Sequence, residues 1–485
     1  MEYNEILEKQ IVGRLRIDNP WWKTGEILSD YNNMTPRLYL NIFYPLVTDL
    51  SLRRALILMG PRRVGKTVMI YHTIQRLIDN GVSPQNIIYV SVETPIYNKI
   101  LLEQLFILAK RALNKDKSQE QFYVFYDEIQ YLKGWEIDLK SLVDTYHNVK
   151  FIASGSAAAE LKQRSNESGA GRFTDFNLPP LLFYEYIHLL HFDNLMNKSE
   201  IEWRGHRVLF YSTSNILELN KLLLDYINYG GYPEVVFSET IKKDPEQFIR
   251  HDIIDKVLLR DLPSLYGITD VQELNSLFNM IAYRSGDQFS YQKLAEVSGV
   301  KKDTLKKYIQ YLEAAFLIKL IHRTDDTARS FKRDVNFKIY LTNPSLRCAL
   351  FEPITEEDDN MGNIIETAVY SQWIPRGTEI NYANWKKNQK VQGEVDMVGI
   401  NKATQKPDWI VEIKWSDAYY NHPYDLVSLQ YFMQKNKIPY ALVTSITKLG
   451  RQDTDFGILQ FVPVADYIYT VGENTLNMTK KSFGL

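Results

Sequence analysis

The octapeptide Gly60-Pro61-Arg62-Arg63-Val64-Gly65-Lys66-Thr67 has the residue types and spacing of a phosphate-binding loop, G-x-x-x-x-G-K-[ST]. It lies between the apolar segment Ala55–Met59, which predicts a buried strand, and Thr67–Asp79, whose apolar spacing predicts a helix. Backbone N–H groups and the positive end of this helix would surround phosphate oxygens, so the cofactor-binding residues are predicted to be the octapeptide and Val68. Lys66 would reach the β- and γ-phosphates of ATP, and the Thr67 hydroxyl would bind Mg²⁺.

Two acids, Asp127 and Glu128, follow the apolar run Phe122–Tyr126. Asp127 would hold Mg²⁺ through water, and Glu128 would polarise the attacking water as a general base. The interval after the phosphate loop leaves room for two helices and the strand Ile87–Val92, an order typical of ATPases that use a catalytic glutamate. The alternative for the two acids is a solvated strand end.

Two further groups could respond to the γ-phosphate. Ser154 or Ser156, after the predicted strand Val149–Ala153, could sense it, or the segment could be a plain turn. Arg172 lies on a glycine-containing loop and could stabilise γ-phosphate charge in a neighbouring subunit. The alternative for Arg172 is a surface position without a catalytic role.

Carboxylates recur on two predicted strands nearer the C-terminus, around Asp396 and Glu412. The segment Asn401–Pro407 predicts a turn that joins these strands as a hairpin and so brings the two acids together. Residues two apart on a strand share a face, so Lys414 points the same way as Glu412. Two carboxylates and a lysine on one face suit a Mg²⁺ site for phosphodiester hydrolysis, with Glu366 on a predicted helix as a further ligand.

The same segment resembles the PD-(D/E)xK restriction-endonuclease-like superfamily. Val395 stands where that motif has its proline, and Gln430 fits the helix that follows the motif. The resemblance implies that Asp396, Glu412 and Lys414 are catalytic. The alternative is a domain retained for DNA or protein docking, with its acids as remnants.

The elements around these residues predict an α/β chain. Strands and helices alternate from about 51 to 190, the pattern of a parallel sheet with helices on both faces. A mostly helical region follows to about 275, and the α/β pattern returns from about 360. At 485 residues the chain is too long for one core, and its length predicts about three domains.

Composition excludes several classes of protein. Hydrophobic and charged contents of 45% and 24% are ordinary for a soluble globular protein, and a net charge of −2 means that nucleic acid must be contacted through local patches. Cys348 is the only cysteine, which excludes disulfide scaffolds and cysteine metal sites. No signal peptide is visible, and no apolar run approaches the ~18 residues of a membrane span, so a cytoplasmic location without a membrane partner is expected.

The chain resembles a family of bacterial and archaeal AAA+-type ATPases with a C-terminal domain of unknown function. The resemblance covers about residues 35–420. The matching motifs are the phosphate loop, Asp127-Glu128-Ile129-Gln130, Gly155-Ser156, Gly171-Arg172, Leu178-Pro179-Pro180-Leu181-Leu182-Phe183, Gly230-Gly231-Tyr232-Pro233-Glu234 and Arg260-Asp261-Leu262. It implies an ATPase core, a helical lid, a winged-helix unit and a nuclease-like C-terminal domain. The serines depart from the Asn or Thr common at the sensor strand.

A DNA-contacting unit is predicted between the lid and the C-terminal domain. Phe289–Val300 predicts a helix ended by a glycine turn, and a second helix follows to about Ala315, the layout that places a recognition helix in the major groove. Lysines suited to phosphate contacts lie at or near the start of the second helix: Lys301, Lys302, Lys306 and Lys307. The alternative is a unit that only packs domains together.

The predicted domains are an N-terminal extension (1–34), the ATPase core (35–195), the helical lid (196–275), the winged-helix-like unit (276–345) and the nuclease-like domain (346–485). Our leading hypothesis is an ATP-hydrolysing protein that acts on or near DNA, with ATP, Mg²⁺ and DNA as ligands and with a homo-oligomer or other protein partners. The rival hypotheses are an ATP-switched regulator or scaffold that cuts nothing, and a motor whose C-terminal domain is vestigial.

Overall fold

The computed structural model describes residues 2–97, 100–115, 119–156, 171–204, 206–327, 336–387 and 391–485. The described chain forms two compact units. The first extends to Pro179 and includes Ser482–Leu485, and the second is Pro180–Lys481. No helix in these ranges has the length and apolar character needed to cross a membrane.

A parallel sheet forms the centre of the first unit. Its strands are β1 (Ala55–Met59), β2 (Ile87–Ser91), β3 (Phe122–Asp127), β4 (Val149–Gly155) and β5 (Phe173–Asn177), in the order β2-β3-β4-β1-β5. The helices are α1 (Glu2–Asp18), α2 (Trp21–Thr24), α3 (Ser29–Asn32), α4 (Leu40–Thr48), α5 (Lys66–Asp79), α6 (Leu102–Ala112) and α7 (Trp135–Thr145), with 3-10 turns at Pro84–Asn86, Pro95–Tyr97 and Ile129–Tyr131. Both β1 and β3 are buried along their whole length, as expected of strands covered on both faces.

The predicted strands of this sheet are confirmed to within two residues, but β5 is missing from the prediction. Its sequence, Phe173-Thr174-Asp175-Phe176-Asn177, has only two apolar residues, three positions apart, and so does not predict a buried strand. It becomes a strand by pairing in parallel with β1 along its whole length.

The second unit begins with helices and a hairpin. Its helices are α8 (Phe183–Leu189), α9 (Ile216–Tyr229), α10 (Pro233–Val236), α11 (Glu239–Lys243), a π-helix (Glu246–Asp261), α12 (Leu262–Tyr266), α13 (Val271–Tyr283), α14 (Tyr291–Ser298), α15 (Lys302–Ala314), α16 (Ser345–Leu350), α17 (Met361–Trp373), α18 (Ala418–Asn421), α19 (Val427–Asn436) and α20 (Val464–Ser482), with 3-10 turns at Asp193–Leu195, Ile374–Arg376 and Pro423–Asp425. Strands β6 (Met196–Trp203) and β7 (His206–Thr213) pair as an antiparallel hairpin.

That hairpin was not predicted, and it corrects the start of the mostly helical lid that the sequence predicted over 196–275. Trp203 pairs with His206, so only two residues join the strands, and Arg204 has a positive φ of 55°. A two-residue connection of this kind favours a hairpin. Half-buried residues such as Ile201 and Trp203 alternate with exposed polar ones, which hides the strand from a search for apolar runs.

The remaining strands of the second unit form one mixed sheet. They are β8 (Gln288–Ser290), β9 (Ile318–Thr324), β10 (Asn336–Leu341), β11 (Asn381–Lys387), β12 (Val391–Ile400), β13 (Pro407–Glu412), β14 (Tyr440–Ser445), β15 (Gly450–Thr454) and β16 (Gly457–Pro463), in the order β15-β16-β14-β13-β12-β11-β9-β10-β8. Strand β9 pairs in parallel with β11, so the sheet continues across the boundary predicted at 345/346.

Candidate functional site

The phosphate loop connects β1 to α5, and its glycines are required by its shape. A Cβ atom on Gly60 would lie 2.2 Å from the carbonyl oxygen of Leu178, so no larger residue fits there. Gly65 caps α5 in the left-handed region, with φ of 90° and ψ of 27°. Val64 between them is buried, Val68 lies in the first turn of α5, and the loop therefore holds the tight turn that its motif predicts.

Arg37 supports this loop and was not predicted to do so. Its side chain is 6% exposed, and Nη1 donates to the carbonyl oxygens of Val64, at 2.9 Å, and Pro179, at 2.8 Å. An arginine some distance before the motif carries no local signal for this role, because only the folded chain brings it to the loop.

The Lys66 ammonium bonds to its own loop. Its side chain is buried, and Nζ donates to the carbonyl oxygens of Gly60, at 3.0 Å, and Pro61, at 2.7 Å. To contact a β- or γ-phosphate, Nζ would exchange these carbonyls for phosphate oxygens. In the same loop, Arg62 Nη2 donates to the Tyr131 hydroxyl at 3.4 Å.

Asp127 is the polar centre of the site and is 2% exposed. Its Oδ2 accepts hydrogen bonds from the Thr67 hydroxyl at 2.8 Å and from the Tyr89 hydroxyl at 2.9 Å. Its Oδ1 accepts from the Ser154 hydroxyl and, at 3.1 Å, from the Glu128 N–H. The structure thus brings together Thr67 and Asp127, the two residues predicted to place Mg²⁺.

Glu128 follows Asp127 at a sharp change of chain direction. Its φ of 54° and ψ of 45° are left-handed values that are unusual for a residue other than glycine. Its Oε2 accepts a hydrogen bond from Gln130 Nε2, which also donates to the Ser156 hydroxyl at 3.2 Å. Burial raises the pKa of Glu128, the nearby Lys66 ammonium opposes that shift, and Asp127 adds to it.

The two predicted sensor serines have different neighbours. Ser154 is fully buried and contacts Asp127, whereas Ser156 reaches Glu128 only through Gln130. We therefore expect Ser154→Ala to lower the kcat of ATP turnover about tenfold, because it removes a hydrogen bond to a charged group. The matched variant Ser156→Ala should change kcat by less than about threefold, since the partner of its hydroxyl among the described residues is the neutral Gln130 amide. A larger loss in Ser156→Ala, measured as steady-state phosphate release, would assign the sensing role to Ser156.

Arg172 forms an ion pair with Asp144 within the first unit, and the two side chains are 44% and 45% exposed. Gly169 and Ala170, which belong to the same predicted loop, lie outside the described residues. The role of Arg172 as an arginine finger stays a prediction.

The C-terminal carboxylates lie on β12 and β13, which pair antiparallel with Met397 opposite Val411. Lys414 Nζ lies 2.7 Å from Glu412 Oε1 and 3.3 Å from Asp396 Oδ2. The same Nζ is 3.3 Å from the carbonyl oxygen of Ile413. Three oxygen atoms therefore converge on one ammonium, and the hairpin brings together the predicted Asp396, Glu412 and Lys414.

Glu366, the further predicted ligand, is paired elsewhere. It lies on α17, and its Oε1 accepts from Lys338 Nζ at 2.8 Å and from the Tyr340 hydroxyl at 2.7 Å. Lys338 Nζ also lies 2.7 Å from Glu394 Oε1. Within the described ranges, no three His, Cys, Asp or Glu side chains are arranged to hold a metal ion. The structure therefore does not unite Glu366 with Asp396 and Glu412 as one ligand set.

Burial dominates the ionisation of this cluster. It raises the pKa of Glu412 to about 7, where the Asp396 carboxylate adds to the shift and Lys414 opposes it. Burial also raises the pKa of Glu366 to about 7, against the effect of the Lys338 ammonium. Burial alone would lower the pKa of Lys338, but the carboxylates of Glu366 and Glu394 reverse that effect and raise it well above its ordinary value.

One carboxylate oxygen of the cluster has no hydrogen-bond partner in the described part of the chain. Glu412 Oε2 is buried and makes no hydrogen bond to any described residue. A buried carboxylate oxygen without a partner is costly, and a bound cation would remove that cost. Carboxylate and carbonyl oxygens are the ligands that Mg²⁺ prefers, so Asp396, Glu412 and the Ile413 carbonyl fit this ion.

Comparison with known families adds to this geometry. Residues 52–187 match the profile of an AAA domain, and residues 220–358 match that of a domain of unknown function, DUF8612. An uncharacterized protein of Haemophilus influenzae is 25% identical over 366 residues, which are 74% of this chain and 81% of that protein. An uncharacterized protein of Methanocaldococcus jannaschii is 26% identical over 328 residues, 66% of each chain.

Solved structures align with the chain at low similarity. The Walker-type ATPase of Pyrococcus abyssi has a TM-score of 0.39 and 14% identity, over 66% of this chain and 99% of that chain. The Aeropyrum pernix ORC1 protein, solved in complex with DNA, has a TM-score of 0.33 and 14% identity, over 67% of this chain and 94% of that chain.

The five-stranded parallel sheet, the loop between β1 and α5 and the matching AAA profile define the class of the first unit. The chain contains an AAA-type P-loop ATPase domain. The prediction of a nucleotide-binding ATPase is confirmed at this level.

Proposed function

We propose that the protein hydrolyses ATP at the site built by the phosphate loop and the end of β3. The observation that carries this proposal is the 2.8 Å hydrogen bond between the Thr67 hydroxyl and Asp127 Oδ2, which joins the loop to the acidic strand end. ATP binding would place the triphosphate against the loop N–H groups, with Lys66 neutralising phosphate charge.

Thr67 and Asp127 would hold the magnesium ion, which would neutralise charge on the phosphate oxygens. Glu128 would accept the proton of the attacking water, and Gln130 would hold its carboxylate in place. The hydroxyls of Tyr89 and Ser154 keep Asp127 oriented, so its oxygens are aligned without a rearrangement during the reaction. Arg172 of a neighbouring subunit would add positive charge if the protein forms a homo-oligomer.

We propose a second activity, Mg²⁺-dependent phosphodiester hydrolysis, for the C-terminal carboxylates. The convergence of Asp396, Glu412 and the Ile413 carbonyl on Lys414 Nζ favours it, because a cation already occupies the common point of three oxygens. A bound Mg²⁺ would polarise the phosphodiester, and the displaced Lys414 ammonium would hold and orient a water molecule.

DNA is the proposed partner of this second activity. The element order α13, β8, α14, α15, β9, β10 supports the predicted winged-helix unit, and the four lysines at the start of α15 are exposed. Exposed lysines at a helix start suit phosphate contacts without sequence readout. The domain boundaries predicted from the sequence, including those of the winged-helix-like unit at 276–345, are likewise proposed.

One experiment tests both activities. Purified protein with ATP, Mg²⁺ and DNA of varied form is expected to release phosphate and to produce strand breaks. Lys414→Ala should keep phosphate release within about twofold and lower the rate of strand breaks at least about 100-fold, because the proposed role of its ammonium is in cutting and not in ATP hydrolysis. Lys402→Ala, at an exposed position between β12 and β13, is the matched control and should behave as the parent protein.

The rival hypotheses predict other results. ATP-dependent association with DNA or protein without strand breaks would favour the regulator or scaffold. DNA-stimulated phosphate release without strand breaks would favour the motor with a vestigial C-terminal domain. Strand breaks undiminished in Lys414→Ala would exclude the proposed site as their source.

A further inference from the structure

The carboxylate cluster of the second unit contains two ion-pair centres. Lys414 lies between Asp396 and Glu412, and Lys338 lies between Glu366 and Glu394. Lys338 comes from β10, a strand of the region that precedes the predicted nuclease-like domain. The cluster is therefore incomplete without a residue contributed by the neighbouring winged-helix-like segment.

The two lysines differ in their freedom to move. The Lys414 side chain is 26% exposed and its Nζ bonds are uneven, at 2.7 and 3.3 Å. The Lys338 side chain is 4% exposed, and its two ion pairs, at 2.8 and 2.7 Å, are both short. The aromatic ring of Tyr382 lies 5.4 Å from Lys338 Nζ and adds a favourable contact to the cation. Lys414 can move toward solvent, whereas Lys338 is enclosed.

We infer that Lys338 is a fixed internal cation that keeps Glu366 and Glu394 from binding metal, so that the cluster takes a single divalent cation at Asp396, Glu412 and the Ile413 carbonyl. This inference rests on the proposed metal site but not on any cutting activity. The inference gives Lys338 and Glu394 a role at this site, although neither residue belongs to the PD-(D/E)xK motif.

The charges of the cluster agree with one divalent cation. Four carboxylates and two ammonium groups leave a formal charge of −2 when all are ionised, and one divalent ion brings the total to zero. A second divalent ion would leave an excess of positive charge in a buried site, which is strongly unfavourable. The partnerless Glu412 Oε2 belongs to the centre assigned to the metal, and the Glu366 Oε1 atom is already held by Lys338 and Tyr340.

The test counts bound Mn²⁺, a paramagnetic substitute for Mg²⁺, by the loss of the free-ion resonance signal during titration. The full-length protein carries Thr67→Ala and is kept free of nucleotide, so that the ions counted belong to the second unit. One Mn²⁺ per chain is expected. Asp396→Asn should weaken binding by more than about 100-fold, because losing even an outer partner of a ligand typically costs about 10- to 100-fold. Glu366→Gln should weaken it by less than about 10-fold, because Glu366 Oε1 contacts Lys338 and Tyr340 and not the proposed ligands.

A third variant addresses Lys338 itself. Lys338→Met leaves Glu366 and Glu394 without their cation, and the folded variant should bind Mn²⁺ more tightly or in more than one copy per chain. Thermal unfolding establishes which variants are folded. If Lys338→Met does not fold, the contrast between Asp396→Asn and Glu366→Gln decides the question.

Three results would overturn the inference. They are two ions per chain in the parent protein, a loss in Glu366→Gln as large as that in Asp396→Asn, and parental affinity with one ion in folded Lys338→Met. Because the measurement is ion binding, a protein that binds one Mn²⁺ but cuts no DNA would refute the proposed nuclease and leave this inference standing.

Discussion

Lys66→Ala is expected to lower ATP turnover by at least about 100-fold, the cost of removing one donor that stabilises charge in a transition state. The Lys66 side chain is 5% exposed at the base of the phosphate loop, so no surface cation can take its place. ATP affinity should fall by about 10- to 100-fold as well, because a hydrogen bond between charged groups contributes about 1.5–3 kcal/mol. Phosphate release and equilibrium nucleotide binding measure the two effects.

The substitution also leaves the carbonyls of Gly60 and Pro61 without the Lys66 donor. We expect a loss of about 1–3 kcal/mol in the free energy of unfolding, which thermal unfolding in the absence of nucleotide measures. Lys140→Ala, at an exposed position on α7, is the matched control and should keep full turnover. Undiminished turnover in Lys66→Ala would remove the ATPase assignment of this loop.

Glu128→Gln is expected to retain ATP while lowering its hydrolysis by about 10²- to 10⁴-fold, the usual contribution of a general base. The substitution preserves shape, and the side-chain oxygen of glutamine can still accept the hydrogen bond from Gln130. Binding should therefore change little, and the variant should carry ATP through gel filtration. Single-turnover phosphate release measures the chemical step.

The pH dependence gives an independent check on this role. Burial raises the pKa of Glu128, so the parent protein should lose turnover on acidification at a higher pH than an exposed glutamate would produce. The ionised carboxylate is the active form, and turnover is therefore highest above that pKa. The residual turnover of Glu128→Gln should lack this acidic decline. Glu93→Gln, at an exposed position after β2, should keep it. An unchanged profile in Glu128→Gln would assign the base to another residue.

The parts of the fold that were predictable are those marked by a short sequence pattern, such as an apolar run or a turn segment. Strands β1 to β4 of the ATPase sheet are apolar runs between glycine-rich or polar segments, and the hairpin of β12 and β13 has its turn at Asn401–Pro407 as predicted. The polar strands β5, β6 and β7 were not recognised, because they form through pairing with another strand rather than through an apolar sequence.

The residues of the candidate sites also fall into two groups, those predicted from a motif and those that only the folded structure reveals. Lys66, Thr67, Asp127 and Glu128 stand in short motifs whose spacing implies their chemistry. Tyr89, by contrast, is one of many tyrosines, and its bond to Asp127 follows only from the pairing of β2 with β3. Lys338 likewise lies outside every motif and reaches Glu366 across separate elements of the fold. Such partners depend on tertiary packing, which leaves no regular spacing along the chain.

The parallel pairing of β9 with β11 restricts how the chain can be shortened. A truncated protein that stops near residue 345 would keep β9 and its partner β10 but lose β11, and so would expose a row of unpaired backbone N–H and C=O groups on one edge of β9. An open strand of this kind recruits other chains and promotes aggregation. Any fragment made to study the lysine-bearing helix α15 should therefore extend through β16.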